Sequence, residues 1–170
     1  MKHNMPTIKM LGKTMYLYWC YGSNLNQEQM SKRCPDALPL ERAELPSHTL
    51  LFRGNSRGFG VATVERDNGS SIPGALWAIS ERDLKTLDRY EGYPRLYTRG
   101  TIRVVNEDGQ ILDAMTYWMH QSYPKAMPSN DYITTIYNGY MDFGLDARRL
   151  HSFYQKHIDD LLAEDLEYEF

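Results

Sequence analysis

The chain has 170 residues, and its 19 lysine and arginine side chains against 22 aspartate and glutamate side chains give a formal net charge of −3. This near-neutral balance excludes a generic binder of the nucleic-acid phosphate backbone, which would carry a clear basic excess. The composition is also rich in tyrosine, with 13 Tyr against 5 Phe and 3 Trp, which indicates a polar site with aromatic walls because a buried phenol needs a partner for its hydroxyl group.

Residues 1–14 lack hydrophobic periodicity and are predicted to form a flexible leader, followed by a single domain over residues 15–170. Neither a signal peptide nor a membrane-spanning run is found, because the longest apolar runs are far too short. The cysteines, Cys20 and Cys34, are too few for a disulfide framework. We therefore expect a cytoplasmic protein with reduced thiols that does not bind membranes.

Strand-like runs dominate the first two thirds of the chain. Residues 15–20 form an apolar, aromatic-rich strand, and residues 26–33 form a short helix that Pro35 ends. Further strands are predicted at residues 48–52, 60–65, 74–79, 97–105 and 111–120, separated by turn signals such as those at residues 67–69 and 107–109. This spacing is typical of hairpins in a mainly antiparallel sheet.

Three longer helices follow from their capping residues and apolar spacing. Ser80 caps a helix that runs through Tyr90, with Asp83 completing a short capping box. The others cover residues 131–142, ending near Gly144, and residues 146 to about 164. The predicted class is α+β, a small mainly antiparallel β-barrel or sheet flanked by helices.

Glu91 is an anomalous carboxylate. Within the helix that ends here, Leu84 and Leu87 define the apolar stripe, and Glu91 projects within about 10° of the midpoint between them. Gly92 follows directly, which places Glu91 at the negative end of the helix dipole. Burial and the dipole would both raise its pKa towards neutrality, as a general acid or base requires. A helix that frays at Asp88, leaving Glu91 solvated, fits the pattern equally well.

Residues 18–25 run from a strand through a glycine-bearing turn into a helix start. Free backbone N–H groups in such a turn suit a carboxylate or an oxyanion. An ordinary β-to-α turn, with Ser23 or Asn24 as the capping residue, is the more common structure for this pattern. The glycine-rich stretch at residues 53–58 is interpreted as a hairpin connection rather than a mobile loop over a site.

Other chemistries have little support in the sequence. No local signature pairs either cysteine with a histidine as a nucleophile. His151 and His157 are six residues apart, so on a helix they point about 120° apart and do not share a metal. The acidic end of the chain is typical of a solvated, fraying terminus; its residues are Glu164, Asp165, Glu167 and Glu169.

Several motifs together closely resemble the gamma-glutamylcyclotransferase family. They are Tyr-Gly-Ser-Asn-Leu at residues 21–25, Gly-Asn-Ser-Arg-Gly at 54–58, Gly-Ala-Leu-Trp at 74–77, Leu-Asp-Arg-Tyr-Glu-Gly at 87–92, Pro-Ser-Asn-Asp-Tyr at 128–132 and residues 139–145. The first motif alone is weak, but its combination with the fourth is specific. The resemblance covers residues 15–145.

The resemblance implies an enzyme without cofactor or metal, of the acyltransferase or lyase type, that acts on gamma-glutamyl amides as in glutathione metabolism. The substrate's alpha-amine attacks its own side-chain carbonyl, which releases 5-oxoproline and an amine or amino acid. The family's essential glutamate corresponds to Glu91. Its substrate-binding residues correspond to Tyr18, Trp19, Cys20, Tyr21, Gly22, Ser23, Asn24, Tyr97 and Tyr132.

The chemistry expected from the residues agrees with this activity. An alpha-amine is mostly ammonium at pH 7 and must lose a proton before it attacks, while the departing amine must gain one. One carboxylate with a raised pKa, Glu91, serves first as base and then as acid. N–H groups of the turn at residues 21–23 are expected to hold the charged ends of the gamma-glutamyl group.

The leaving amine stays open between an amino acid, a peptide and a larger conjugate. Residues 91–97 are shorter and richer in proline than in mammalian glutathione-cycle members, and are more similar to bacterial and gamma-glutamylamine-processing members. Two alternatives remain: an enzyme dedicated to one metabolite, and a non-catalytic binding or regulatory module on the same scaffold. The expected partner is a small gamma-glutamyl molecule, with the protein a monomer or homodimer.

Overall fold

The computed structural model describes residues 4–54 and 58–168. Within them lie six strands and four α-helices, which confirms the predicted α+β class. The elements are β1 (Thr7–Met10), β2 (Lys13–Cys20), α1 (Gln27–Arg33), β3 (Leu38–Gly54), β4 (Gly60–Ile79), α2 (Glu81–Tyr90), β5 (Tyr97–Asn106), β6 (Ile111–Met119), α3 (Asn130–Phe143) and α4 (Ala147–Glu167), with a 3-10 helix at Ser23–Leu25 between β2 and α1.

The strands form one sheet that curls into a small barrel. Their order is β1-β2-β4-β3-β5-β6, and β2 also contacts β6, so that the sheet closes on itself. Every neighbouring pair in this order is antiparallel, whereas the closing contact, between Tyr18 and Met115, is parallel. Closure brings the end of β2 next to β6, where the residues discussed below meet.

Two predicted strands, 60–65 and 74–79, are parts of the single strand β4, which pairs with the equally long β3. The register shifts from the pair Pro46–Ser71 to the pair His48–Arg66, so the four residues 67–70 of β4 lie opposite the single residue Ser47 of β3. The prediction that a turn at residues 67–69 separates two strands is therefore wrong. Its residues form a bulge instead, in which the Gly69 N–H donates to Asp67 Oδ1 at 3.0 Å.

The prediction of a flexible leader is wrong for residues 7–14. Strand β1 pairs with β2 from Thr7–Tyr16 to Met10–Lys13, and Leu11 and Gly12, with φ of 51° and 76°, form the tight turn between them. Alternate residues of β1 are exposed, and Ile8 packs against the core. Ladder hydrogen bonds and this half-buried face order the segment, and residues 1–3 lie outside the described residues.

The helix ends agree with their capping signals. Ser80 and Asp83 form the expected capping box at the start of α2, and Gly144 ends α3 in a left-handed conformation with φ of 65°. Asn26 and Asp146 cap α1 and α4 with their side chains. The helices pack on the barrel around a core whose largest fully buried side chains include Trp19, Phe52, Leu76, Ile136 and Tyr140.

Strands β3 and β4 meet in an antiparallel pair between Gly54 and Gly60, which agrees with a hairpin connection at residues 53–58. Residues 55–57 of that connection lie outside the described residues. In the part of the chain that the structure describes, no helix is long and apolar enough to cross a membrane.

Candidate active site

A small cavity of about 40 Å³ opens where β2 ends, and we call it the Glu91 cavity. Strands β4, β5 and β6 and helices α2 and α3 surround it. The cavity is lined by five tyrosines, a carboxylate and the turn after β2; these residues are Tyr18, Tyr21, Gly22, Ser23, Asn24, Ala62, Glu91, Tyr97, Tyr117 and Tyr132. A closely fitted polar cavity of this kind suits a small ligand whose orientation matters.

Glu91 is the C-terminal cap of α2. The helix continues through Tyr90, and the Glu91 N–H donates to the carbonyl of Leu87 at 2.8 Å. Leu84 and Leu87 are buried on the same side, and Gly92 turns the chain away with φ of 63°. The predicted placement of Glu91 at an intact helix end is confirmed, and the alternative of fraying from Asp88 is wrong.

The pKa of the Glu91 carboxyl group lies near neutral pH. Burial raises its pKa from 4.5 to about 7, while the positive charge of Arg33 and a hydrogen bond from Asn24 act in the opposite direction. Both protonation states are consequently populated near pH 7. A group with this property can accept a proton and return it in one reaction cycle.

Asn24 connects the turn after β2 to this carboxyl group. Its Nδ2 donates to the Tyr18 hydroxyl at 2.9 Å and to Glu91 Oε1 at 3.3 Å. The side chain is almost fully buried, with 4% of the residue exposed. The amide therefore fixes Glu91 and Tyr18 relative to each other on the cavity wall.

Three tyrosines meet at the peptide groups of Ala62 in β4. The Tyr97 hydroxyl donates to the Ala62 carbonyl at 2.6 Å, and the Ala62 N–H donates to the Tyr132 hydroxyl at 3.0 Å. The Tyr21 hydroxyl donates to the carbonyl of Tyr117 at 2.7 Å and also lies 3.5 Å from the carbonyl oxygen of Ala62. Burial raises the pKa of all these phenols, so at pH 7 they act as neutral hydrogen-bonding groups.

Tyr117 lines the cavity and was not among the predicted site residues. It lies on β6, where its hydroxyl donates to Asp88 Oδ1 at 2.7 Å, and Asp88 also pairs with Arg99 at 3.0 Å. Its ring packs edge-on against Tyr18, with ring centroids 5.9 Å apart. Strand alternation places Tyr117 on the inner face, but only barrel closure brings that face to the end of β2.

Two predicted substrate-binding residues, Trp19 and Cys20, do not line the cavity. Trp19 is fully buried, and its indole N–H donates to the carbonyl of Ala43 at 2.9 Å. Cys20 pairs with Ala75 in the sheet, and burial raises the pKa of its thiol to about 12. The expectation is corrected for both, because they fill the core beneath the turn. The other predicted residues do line the cavity.

The described residues contain no group of three or more His, Cys, Asp or Glu side chains that could hold a metal ion. A larger cavity, of about 420 Å³, lies elsewhere, between β3, β4, the end of β5 and the α3–α4 turn. Its two arginines are already paired, Arg42 with Glu107 and Arg149 with Glu44. The carboxyl group with the raised pKa lines the smaller cavity, which is therefore the candidate site.

Comparison with known proteins gives matches to one family. A family model described as gamma-glutamyl cyclotransferase, AIG2-like, matches residues 18–134, a segment that contains every lining residue of the Glu91 cavity. A Homo sapiens protein named Gamma-glutamylcyclotransferase is 32% identical over 138 residues, which cover 76% of this chain and 72% of the relative.

A Bos taurus protein of the same name is 29% identical over 158 residues, which cover 88% of this chain and 80% of the relative. A solved structure named Gamma-glutamyl cyclotransferase superposes with a TM-score of 0.75 at 28% identity, covering 81% of this chain and 85% of that one. These two relatives are mammalian, whereas residues 91–97 predict a likeness to bacterial and gamma-glutamylamine-processing members.

Proposed function

The chain belongs to the gamma-glutamyl cyclotransferase, AIG2-like family, and we propose that it is a gamma-glutamylcyclotransferase, which converts a gamma-glutamyl amide into 5-oxoproline and a free amine or amino acid. The observation that carries this proposal is the carboxyl group of Glu91, tuned to a pKa of about 7 inside a cavity of neutral phenols. Such a group suits proton transfer between two amines.

The proposed reaction balances without water or a redox partner. The alpha-nitrogen of the substrate forms a bond to the gamma-carbonyl carbon, and the bond from that carbon to the leaving nitrogen breaks. The alpha-ammonium loses two protons on its way to the lactam N–H, and the leaving nitrogen gains two on its way to an ammonium. Glu91 transfers them one at a time, as carboxylate first and as carboxylic acid second. This is an intramolecular acyl transfer of the lyase type.

The turn after β2 is proposed to hold the charged ends of the gamma-glutamyl group. Among the hydrogen bonds of residues 4–54 and 58–168, none uses the N–H groups of Tyr21 or Gly22 as donors. A Cβ at Gly22 would lie 3.3 Å from the Cβ of Ala62 and 3.6 Å from the Tyr132 hydroxyl. A glycine there keeps room for a ligand to approach the backbone, which suits a carboxylate or a developing oxyanion.

Orientation is the remaining contribution of the protein. Closing a five-membered lactam ring requires the bent conformer of the substrate, which a narrow cavity with fixed hydroxyl groups would favour. Tyr97 and Tyr132 are held by hydrogen bonds to Ala62, and Tyr18 by one from Asn24. We further propose a cytoplasmic location, which the two cysteines without a disulfide partner, Cys20 and Cys34, support.

A substrate panel tests the proposal. The purified protein is incubated with gamma-glutamyl-alanine, with glutathione and with a gamma-glutamyl alkylamide, and 5-oxoproline is measured by mass spectrometry. Formation from at least one of these supports the proposal and identifies the class of leaving amine. The Glu91→Gln variant serves as the paired control, because it removes the proton-transferring group at constant shape.

Failure would take two distinguishable forms. If no compound of a broad gamma-glutamyl panel gives 5-oxoproline, but one of them binds in calorimetry, the binding-module function replaces the enzyme. If simple dipeptides fail while a cell extract yields one compound that the protein converts to 5-oxoproline, the enzyme is dedicated to that metabolite. Equal turnover in the wild type and in Glu91→Gln would remove Glu91 from the mechanism.

A further inference from the structure

Arg33 lies outside the Glu91 cavity and is linked to its carboxyl group through a single side chain. Arg33 Nη1 donates to Asn24 Oδ1 at 3.0 Å, and Asn24 Nδ2 donates to Glu91 Oε1 at 3.3 Å. We propose that Arg33 is a positioning residue for Glu91: it fixes the Asn24 amide so that an N–H group faces the carboxyl and keeps Glu91 ionisable as a base. Its meaning for catalysis rests on the function proposed above.

The orientation of Asn24 follows from its two donors. A carboxamide has an acceptor end and a donor end, and both Arg33 and Gln29 direct N–H groups to Oδ1, at 3.0 and 3.4 Å. Gln29 is itself held by a hydrogen bond to the carbonyl of Ser23 at 2.9 Å. Turning the amide by 180° would bring donors together at Arg33 and place an oxygen against the carboxyl of Glu91. Only the observed orientation satisfies all of these groups.

Arg33 is well placed to maintain this contact. It belongs to the last turn of α1, and its guanidinium lies over the ring of Tyr90, 4.3 Å from the centroid. Tyr90 directly precedes Glu91 in the chain, so the same side chain fixes the end of α2 and the amide that contacts Glu91. Because Asn24 is buried, water is a poor substitute for these partners.

The charges around Glu91 determine whether removing Arg33 raises or lowers the pKa of Glu91. From β2 and the turn after it, and from β5, β6 and α3, Glu91 faces the phenols that line the cavity, which burial keeps neutral; these are Tyr18, Tyr21, Tyr97, Tyr117 and Tyr132. On its own helix, Asp88 is paired with Arg99 and Tyr117. From α1, the positive charge of Arg33 lowers the pKa of Glu91. Removing Arg33 must therefore raise it.

The test measures the Glu91 pKa directly, by carbon-13 NMR titration of glutamate-labelled protein. We expect Arg33→Met to raise the titration midpoint by about one pH unit. Lys32→Met is the matched control, because it removes one positive charge from the neighbouring, exposed position of α1 and leaves the midpoint unchanged. An unchanged midpoint in Arg33→Met overturns the proposal.

A double-mutant cycle separates the proposed link from a charge acting through space. If Arg33 acts through the amide in addition to its charge, its removal raises the midpoint by clearly less once Asn24→Leu has been introduced. An equal shift in both backgrounds overturns the positioning role. A pH titration of the wild type tests the link without any variant. The Asn24 side-chain amide resonance is expected to shift with the same midpoint as the Glu91 carboxyl resonance. A different midpoint, or no shift, overturns the link.

Kinetics then connect the link to catalysis. If the pKa of Glu91 rises by one unit from about 7, the ionised fraction of its carboxyl group at pH 7 falls to about a fifth of that in the wild type. This fraction is read with an active gamma-glutamyl substrate. We therefore expect Arg33→Met to lose about fivefold in kcat/KM at pH 7 and to recover by pH 9. If the wild type converts no gamma-glutamyl compound while the NMR shifts occur as expected, the proposed function fails and the positioning role stands.

Discussion

The amide of Asn24 and the carboxyl of Glu91 lie 3.3 Å apart, although 67 residues separate them in the chain. The contact joins the turn after β2 to the end of α2. Burial favours the neutral form of Glu91, whereas the positive charge of Arg33 and the amide N–H of Asn24 favour the charged form. The balance of these effects places the pKa of Glu91 near 7, where the group can both accept and donate a proton.

Replacing Glu91 by glutamine is predicted to reduce kcat by at least about 10²-fold while leaving KM within a few-fold of the wild type. Glutamine keeps the shape of the side chain but cannot exchange the proton. Steady-state production of 5-oxoproline checks this. Glu81→Gln, at an exposed position in the first turn of the same helix, is the control, and its turnover should match the wild type.

The same substitution is predicted to stabilise the fold at alkaline pH. Because the folded pKa of Glu91, about 7, exceeds its ordinary value of 4.5, the folded state holds the proton more tightly, and stability falls as pH rises from 4.5 through 7. Glutamine is neutral at every pH. Relative to the wild type, Glu91→Gln should therefore gain about 2–3 kcal/mol in unfolding free energy between pH 5 and pH 8.

Urea unfolding of both proteins at the two pH values measures this difference. Taking the difference between variant and wild type cancels the other titrating groups that the two proteins share. A difference that is independent of pH would mean that Glu91 ionises freely in solvent, which would contradict the burial of its carboxyl.

Glu91 could be predicted because its signals are local. The spacing from Leu84 and Leu87 gives its direction, and Gly92 marks the end of the helix, so a few consecutive residues carry the information. The place of Tyr117 in the cavity wall could not be predicted, because it depends on the contact of β2 with β6 and on the hydrogen bond to Asp88. Such contacts between distant segments leave no mark in the periodicity of either one.

The errors in the fold have a similar origin. The Asp-Asn-Gly sequence at residues 67–69 has the composition of a turn. The residues of β4 before and after it both pair with β3, so it forms a bulge within one strand. Residues 7–14 lack a long apolar pattern, but residues 7–10 form a strand because they pair with β2. In both places the tertiary partner outweighs the local preference.

Gly139→Ala is predicted to disrupt the packing of α3 against the turn that carries Asn24. A Cβ at Gly139 would lie 2.6 Å from the backbone carbon and the Cβ of Leu25, closer than real atoms approach, so helix and turn must separate. We expect a loss of about 2–4 kcal/mol in stability, together with a loss of activity. Gly69→Ala is the control, since its Cβ makes ordinary contact 3.6 Å from Asp67. Thermal unfolding of the two variants checks the difference.

Tyr132→Phe tests whether the hydroxyl groups around Ala62 support the cavity. The Tyr132 hydroxyl accepts the Ala62 N–H at 3.0 Å, and phenylalanine leaves that N–H without its partner, at a cost of about 1–3 kcal/mol. Tyr137→Phe, on the exposed side of the same helix, should cost almost nothing. If the hydroxyl also orients substrate, kcat/KM of Tyr132→Phe falls at temperatures where the variant is fully folded. A variant as stable and as active as Tyr137→Phe would show that the Ala62 N–H finds another acceptor and that the ring alone shapes the wall.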